Sequence, residues 1–242
     1  MHALSPETLL DVWAAGRDQA GLERALTLLA LVSPGLSREE LAELSIGERD
    51  ARLFRFRAEV LGERATGFAA CPACGAGVEL PLDTSQFANA DDRTAAAACL
   101  PDAGARVRIR APNTHDLAAV AASDGEDEGL RCLLERCVQP VDGSVFDAAG
   151  AVRPDNLEAL SLALLEADPR AEINLELDCQ ECGERWPLLF DVADFFWNEL
   201  AAQAHRLLQE VDLIARTYGW SEREILNLPA WRRRGYVELI TG

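Results

Sequence analysis

Positive charge is scarce in this sequence of 242 residues. Lysine and arginine together number 23, against 41 aspartates and glutamates, and the formal net charge is −18. Phosphate backbones and anionic lipid surfaces repel a chain of this charge, so we expect no nucleic acid and no membrane among its partners. The excess of carboxylates mainly predicts good solubility.

Long apolar runs are also missing, although 49% of the residues are hydrophobic. No stretch reaches the roughly 20 apolar residues that a transmembrane helix needs. The first residues, MHALSPETLLDVWAAGRDQAG, contain neither a basic segment nor a small-residue cleavage site of the secretory type. These features predict a folded cytoplasmic protein with one large domain or two small ones.

Histidine and the common catalytic motifs are rare or absent. The three histidines are His2, His115 and His205, and the sequence contains no H-E-x-x-H, G-x-S-x-G or phosphate-loop pattern. The acidic stretch DGEDEG, residues 124–129, lacks the ligand spacing of a calcium loop and predicts a solvated loop. The sequence therefore favours a protein that is not an enzyme. A hydrolase that uses the middle of the chain is the alternative.

Helical patterns occupy both ends of the sequence. Ser5 as N-cap and Pro6 at the first helical position begin a helical region that extends to residue 31 and stops at Pro34. Capping patterns predict two more helices after Ser37 and Ser45, the second ending at Gly62. Further helices are predicted over residues 113–123, 127–138, 153–168, 191–218, 220–229 and 230–240.

Two segments alternate as strand, tight turn and strand, residues 65–83 and 171–192. Residues 105–112 predict one more strand, whereas residues 84–104 predict a loop with a helical turn. The expected fold is α+β, mainly helical, with a small antiparallel zinc-ribbon β-unit split by an α/β insertion. The expected segments are an N-terminal helical region (1–62), two ribbon halves (63–83 and 172–191), the insertion (84–171) and a C-terminal helical tail (192–242).

The turn of each predicted hairpin contains a cysteine pair, CPACG at residues 71–75 and CQECG at residues 179–183. Two cysteines three positions apart around a tight turn can direct both sulfurs to one point, and the following glycine allows a positive φ. Structural zinc takes four ligands in a tetrahedron. The two pairs together supply Cys71, Cys74, Cys179 and Cys182, which predicts one structural Zn²⁺ with no open coordination position.

Other interpretations of the cysteines remain open at this point. They are a redox C-x-x-C, two separate metal sites, a site that stays empty, and a disulfide formed in vitro. The other cysteines do not have ligand spacing: Cys132 and Cys137 are expected to be buried thiols on a helix, and Cys99 is a candidate for exposure.

Aromatic and basic residues near the C-terminus suggest a partner surface. Phe195, Phe196 and Trp197 are consecutive, and three large side chains cannot all face one core, unless the helix is buried on two sides. The candidates chosen on this ground are Phe196, Trp197, Trp220, Trp231, Arg232, Arg233 and Arg234. The alternative for the arginines is that they fold back on the acidic surface of the same chain.

Three stretches together resemble a known family: LSIGERDARLFRFRAEVLGERATGFAACPACGAGVEL, CQECGERWPLLFDVADFFWNEL and IARTYGWSEREILNLPAWRRRGYVELI. They are similar to proteins encoded in clusters for contractile injection systems and contractile phage tails, in a zinc-ribbon form related to the T-even-type baseplate hub assembly chaperones. The positions that match this motif are the four cysteines, Tyr218, Gly219, Trp220, Ser221, Glu224, Ile225 and Leu228.

The resemblance implies a role without catalysis, in which the chain binds a baseplate, hub or spike subunit during assembly. It adds Tyr218, Ile225 and Leu228 to the candidates for partner binding. A transient chaperone and a permanent baseplate subunit both agree with it. The alternative function is a generic zinc-ribbon adaptor for protein–protein interaction outside such a system.

Overall fold

A computed structural model describes residues 4–88, 95–100, 105–141 and 146–242. In chain order the elements are α1 (Pro6–Gly16), α2 (Gly21–Val32), α3 (Arg38–Ala42), α4 (Ile46–Leu61), β1 (Arg64–Ala70), β2 (Gly77–Asp83), a 3₁₀ turn (Thr84–Phe87), β3 (Ala95–Leu100), β4 (Ala105–Arg110), α5 (Thr114–Ala121), α6 (Glu126–Cys137), β5 (Val138–Pro140), α7 (Ala148–Ala151), α8 (Pro154–Ala167), β6 (Asn174–Asp178), β7 (Arg185–Leu189), α9 (Val192–Tyr218), α10 (Glu222–Leu226) and α11 (Ala230–Thr241). The expectation of a mainly helical α+β fold with small antiparallel sheets is confirmed.

The main core lies between α1, α2, α4 and the first half of α9. Leu53 and Phe54 of α4 are fully buried in it, and Phe196 of α9 packs edge-on against Phe56 with ring centroids 5.4 Å apart. Trp197 is buried in the same cluster. The expectation that Phe196 and Trp197 face a partner is therefore wrong for this conformation, since both rings lie on the broad apolar face of α9 that packs in the main core.

The first predicted helical region is divided into two helices. The chain turns between Gly16 and Gly21, and the Arg24 side chain donates to the carbonyls of Gly16 and Arg17 at 3.2 and 3.1 Å. Trp197 explains why α1 ends in glycine, because a Cβ at Gly16 would lie 2.3 Å from the indole. The turn lets α1 and α2 both bury their apolar faces against α9, which one straight helix could not do.

The segment between the hairpins forms a second core. Strands β3, β4 and β5 make an antiparallel sheet that α8 covers, and the buried side chains include Val107, Ile109, Leu134 and Leu160. The prediction of a loop over residues 84–104 is wrong for 95–100, which pair with β4; residues 89–94 and 101–104 lie outside the described residues. Four alanines give this strand no visible alternation and little intrinsic β-propensity, so its pairing and burial decide the conformation.

Close backbone contacts join this second core to α4. The Gly47 amide donates to the Asp168 carboxylate at 2.8 Å, and the Ile46 amide donates to the Pro112 carbonyl at 3.1 Å. A Cβ at position 47 would lie 2.1 Å from Asp168 Oδ1, so this approach requires glycine. Burial raises the pKa of Asp168, and the Gly47 amide acts in the opposite direction.

The name tail is kept from here for residues 217–242, in which α9 ends at Gly219 with φ of 70°. A capping box of Ser221 and Glu224 begins α10, within the range of the helix predicted over residues 220–229. Ile225 is fully buried against Val211 and Ile214 of α9, so its assignment to a partner surface is wrong for this conformation. The tail therefore has a small core of its own that is built on the second half of α9.

Candidate metal centre

Two similar hairpins place the cysteine pairs at their turns. In the β1–β2 hairpin the Cys71 amide donates to the Ala76 carbonyl and the Gly75 amide to the Cys71 carbonyl, each at 2.9 Å. In the β6–β7 hairpin Cys179 and Gly183 make the equivalent bonds at the same 2.9 Å. Both glycines have φ of 75°, as the sequence predicted from their place after the second cysteine.

The four sulfurs come together between the hairpins. Cys71, Cys74, Cys179 and Cys182 hold their Sγ atoms within 4.8 Å of one another. Two contacts cross from one hairpin to the other, Cys71 to Cys182 at 3.7 Å and Cys74 to Cys179 at 3.6 Å. A tetrahedron with metal–sulfur bonds of about 2.3 Å has edges of about 3.8 Å, so the cluster fits a four-thiolate metal site.

The same geometry does not fit the redox and disulfide alternatives. Bonded sulfurs lie about 2.0 Å apart, whereas all four cysteines of the cluster are free, and the sulfurs that face each other across the hairpins are separated by 3.7 and 3.6 Å. Each C-x-x-C lies in a hairpin turn and not at the start of a helix, where a redox pair has a low thiol pKa. Among the described residues, no other group of at least three histidines, cysteines or carboxylates has metal-binding geometry.

The neighbouring thiols change one another's protonation. Amide donation from Cys182 lowers the pKa of Cys179 to about 7, against the effect of burial. The Glu184 amide lowers the pKa of Cys182, but hydrogen bonding with Cys74, Cys179 and Cys71 together with burial raises it to about 12. The pKa of Cys74 is also raised, although the Ala76 amide acts to lower it. A divalent cation would offset this repulsion between thiolates and displace the remaining protons.

An ion pair fixes the base of the first hairpin to α9. The Arg57 guanidinium is 2% exposed and binds both carboxylate oxygens of Glu199, each at 2.7 Å. It also donates to the carbonyls of Gly62 and Arg64, at 2.7 and 3.3 Å, where α4 leads into β1. The two residues lie 142 positions apart in the sequence.

Aromatic packing fixes the base of the second hairpin to the same place. Phe190 follows β7, and its amide donates to the Ile173 carbonyl at 2.8 Å. Its ring lies 5.1 Å from Phe195 and 6.1 Å from Phe54. Both hairpins therefore leave the main core close together, which brings sulfurs that are more than a hundred positions apart in sequence into one cluster.

The remaining cysteines lie outside the cluster. Cys99 is exposed as expected, and Cys137 is buried as expected, with its Sγ 3.7 Å from an Asp116 oxygen. Burial, followed by the Asp116 charge, raises the pKa of Cys137 to about 12. Cys132 is only half-buried, so the expectation of full burial is wrong there.

The predicted partner residues of the tail have different environments. Tyr218, Trp231, Arg232 and Arg234 are exposed, and Trp220 and Leu228 are half-buried. Arg233 is buried and pairs with Glu210 at 3.0 Å, so for this residue the alternative of folding back on the acidic surface is correct. Trp220 stacks on Tyr218 with ring centroids 5.2 Å apart, and it meets Tyr236 edge-on at 5.0 Å.

Of the helices in the described ranges, none combines the length and the apolar character that crossing a bilayer requires. A comparison with curated proteins finds no significant match, and neither does a comparison with solved structures.

A comparison with protein families identifies the body of the chain. The family model for the T4 bacteriophage base plate protein matches residues 27–197, more than two thirds of the sequence. The matched region begins within α2, includes both cysteine hairpins and the segment between them, and ends in the first turns of α9. The chain therefore belongs to the T4 bacteriophage base plate protein family.

Proposed function

We propose that this protein is a non-enzymatic assembly chaperone or structural component of the baseplate or hub in a contractile injection system or phage-tail-like particle. The observation that carries the proposal is the family match over residues 27–197. Its partner in this role is a baseplate, hub or spike subunit. The exposed surface of the tail, which lies beyond the matched region, is the part that we assign to partner binding.

The metal in this proposal is one Zn²⁺, held by Cys71, Cys74, Cys179 and Cys182. Four thiolates complete a tetrahedron and leave no position for water or substrate, so the ion stabilises the fold and takes no part in chemistry. The cysteine sulfurs are contributed by hairpins on either side of the segment between residues 84 and 171. Zinc binding therefore closes this long loop and holds both hairpins on the main core.

Exposed apolar and basic side chains on an acidic protein support the assignment of the tail. Trp231 is 74% exposed and Leu239 is 77% exposed, and Arg232 and Arg234 lie beside Trp231 in the sequence. Tryptophan and arginine are the residue types that most often dominate the energy of protein interfaces. A partner that covers them would bury a large ring and satisfy guanidinium groups that water solvates in the free protein.

Removal of the tail, residues 217–242, is expected to abolish co-purification of the partner when the chain is co-expressed with baseplate, hub and spike subunits of a contractile injection system. The deletion also uncovers Val211 and Ile214, so a milder variant is needed. Replacing Trp231 and Leu239 by alanine removes only exposed groups and should weaken co-purification by at least about tenfold, the effect of losing one interface hot spot.

The matched control replaces Leu162 and Leu165, two exposed leucines on α8, by alanine. This variant removes two exposed apolar side chains from another face and should retain the partner at the wild-type level. Unchanged co-purification by the Trp231→Ala/Leu239→Ala variant, or equal loss by the α8 control, would contradict the role of the tail.

A further inference from the structure

A groove runs between α1, the second half of α9 and the turn that joins α10 to α11. Its volume is about 730 Å³, within the range of sites that bind ligands. Leu9, Leu207 and Leu226 line its apolar part. The groove therefore has the volume of a binding site and a partly apolar lining.

The charged side chains that line this groove are mainly positive, whereas the protein as a whole is negatively charged. Three arginines line it, Arg206, Arg233 and Arg234, and the one carboxylate is Glu210. Glu210 is occupied by Arg233, whose guanidinium also donates to the Leu228 carbonyl at 2.6 Å. Arg206 on α9 and Arg234 on α11 are exposed and form no ion pair within the described ranges.

We propose that this groove binds an acidic segment of a partner subunit, with its apolar side chains on the leucines and its carboxylates on Arg206 and Arg234. The proposal rests on the proposed function, because it names the chemistry of the partner at the tail. Charge complementarity argues for this occupant, since a chain with a net charge of −18 repels acidic segments over most of its surface. The groove is a local exception with two uncompensated positive charges on facing helices.

A neighbouring acidic cleft limits where the acidic residues of the bound segment can lie. It lies between α1 and α10, has a volume of about 320 Å³, and is lined by Glu7, Asp11 and Glu222 with one cation, Arg223. Carboxylates of the partner would be repelled there. The acidic residues of the segment therefore lie against the α9 and α11 walls, away from the beginning of α10.

Two synthetic peptides test the proposal on the purified full-length protein. One is a fluorescein-labelled dodecapeptide of leucine pairs separated by glutamates, and the other has lysine in place of every glutamate. Because the protein carries a net negative charge, non-specific binding would favour the lysine peptide. The groove predicts the reverse, with the glutamate peptide bound about tenfold more tightly, as two exposed ion pairs allow.

Charge reversal in the groove should invert this preference. The Arg206→Glu/Arg234→Glu variant should bind the lysine peptide more tightly than the glutamate peptide. Its control, Arg17→Glu/Arg185→Glu, changes the net charge equally at exposed positions outside the groove and should keep the wild-type order.

Replacement of Ala230, which lines the groove, by tryptophan should abolish binding of the glutamate peptide, whereas Ala202→Trp on an exposed position of α9 should not.

Tighter binding of the lysine peptide by the wild type would overturn the proposal, and so would an unchanged order in the Arg206→Glu/Arg234→Glu variant. The peptide assay uses only this protein. A negative result there leaves the co-purification with baseplate subunits untouched, and a failure of co-purification leaves the peptide preference untouched. The two hypotheses can therefore fail separately.

Discussion

Replacing Cys179 by serine is expected to lower the zinc affinity of the protein by more than about 100-fold. Loss of an outer-sphere partner alone costs about 10- to 100-fold in metal affinity, and Cys179 is a direct ligand in our account. Its side chain is buried, and its sulfur lies 3.6 Å from that of Cys74. Competition for zinc with a chromophoric chelator measures this change directly.

The same variant should unfold at a lower temperature, because zinc binding to a structural site is part of the folding free energy. Zinc-finger peptides gain about 10–16 kcal/mol from the metal, although a chain with its own apolar cores retains part of its stability without it. The difference in unfolding temperature between wild type and variant should disappear when both proteins are measured in an excess of chelator. Equal stability in chelator and a large difference with zinc would assign the loss to the metal.

Cys132→Ser is the matched control for this prediction. Cys132 is a half-buried thiol on α6 and lies outside the sulfur cluster. The control should keep the wild-type zinc affinity and the wild-type response to chelator. If Cys179→Ser bound zinc as tightly as this control, the four cysteines would not form a single site.

Replacing Arg57 by leucine is expected to destabilise the protein by about 3 kcal/mol, at the lower end of the cost of breaking a buried ion pair. The guanidinium is almost fully buried, and without it the carbonyls of Gly62 and Arg64 lose a donor. Glu199 is partly exposed, so water can solvate its carboxylate after the change. Urea denaturation with equal slopes for both proteins measures the difference in the free energy of unfolding.

A surface pair provides the control for this experiment. Arg17 pairs with Asp18 at 3.2 Å, and both side chains are mostly exposed. Arg17→Leu should therefore change stability by less than about 0.5 kcal/mol. The Arg57→Leu/Glu199→Leu variant should recover part of the loss, because no carboxylate is left without its partner. A loss below about 1 kcal/mol for Arg57→Leu would show that this ion pair does not hold the hairpin base.

Sequence patterns that involve only a few neighbouring residues predicted the local structure well. The capping boxes at Ser37 and Ser221 begin helices as expected, and each C-x-x-C-G forms a hairpin turn with its glycine at positive φ. The four-sulfur cluster was predictable because the two turns carry the same pattern. Each turn supplies only half of a tetrahedral ligand set, so the repetition indicated a shared site.

Features that depend on distant residues were not predictable in the same way. The pairing of Arg57 with Glu199 joins positions 142 apart, and no local pattern identifies the partner. Phe196 and Trp197 were assigned to a partner surface because three consecutive large side chains were not expected to face one core, whereas the broad apolar face of α9 places both of these rings in the main core. Strand β3 was missed because alanine has little preference for strands, and the sheet forms through contacts with β4 and α8.

The family match ends before the small core of the tail begins. The match ends at residue 197, within the part of α9 that packs in the main core. The tail beyond it has a separate small core of Val211, Ile214 and Ile225. We infer that the matched region supplies the metal-bound body and that the tail supplies a surface for the partner.

We propose that one metal ion joins the two hairpins and does no chemistry. Zinc content together with X-ray absorption at the zinc edge tests this claim most directly on the purified full-length protein. We predict one zinc per chain, bound by four sulfurs at about 2.3 Å. A second zinc, or a coordination sphere that contains nitrogen, oxygen or an open position, would contradict a closed structural site and favour a catalytic one.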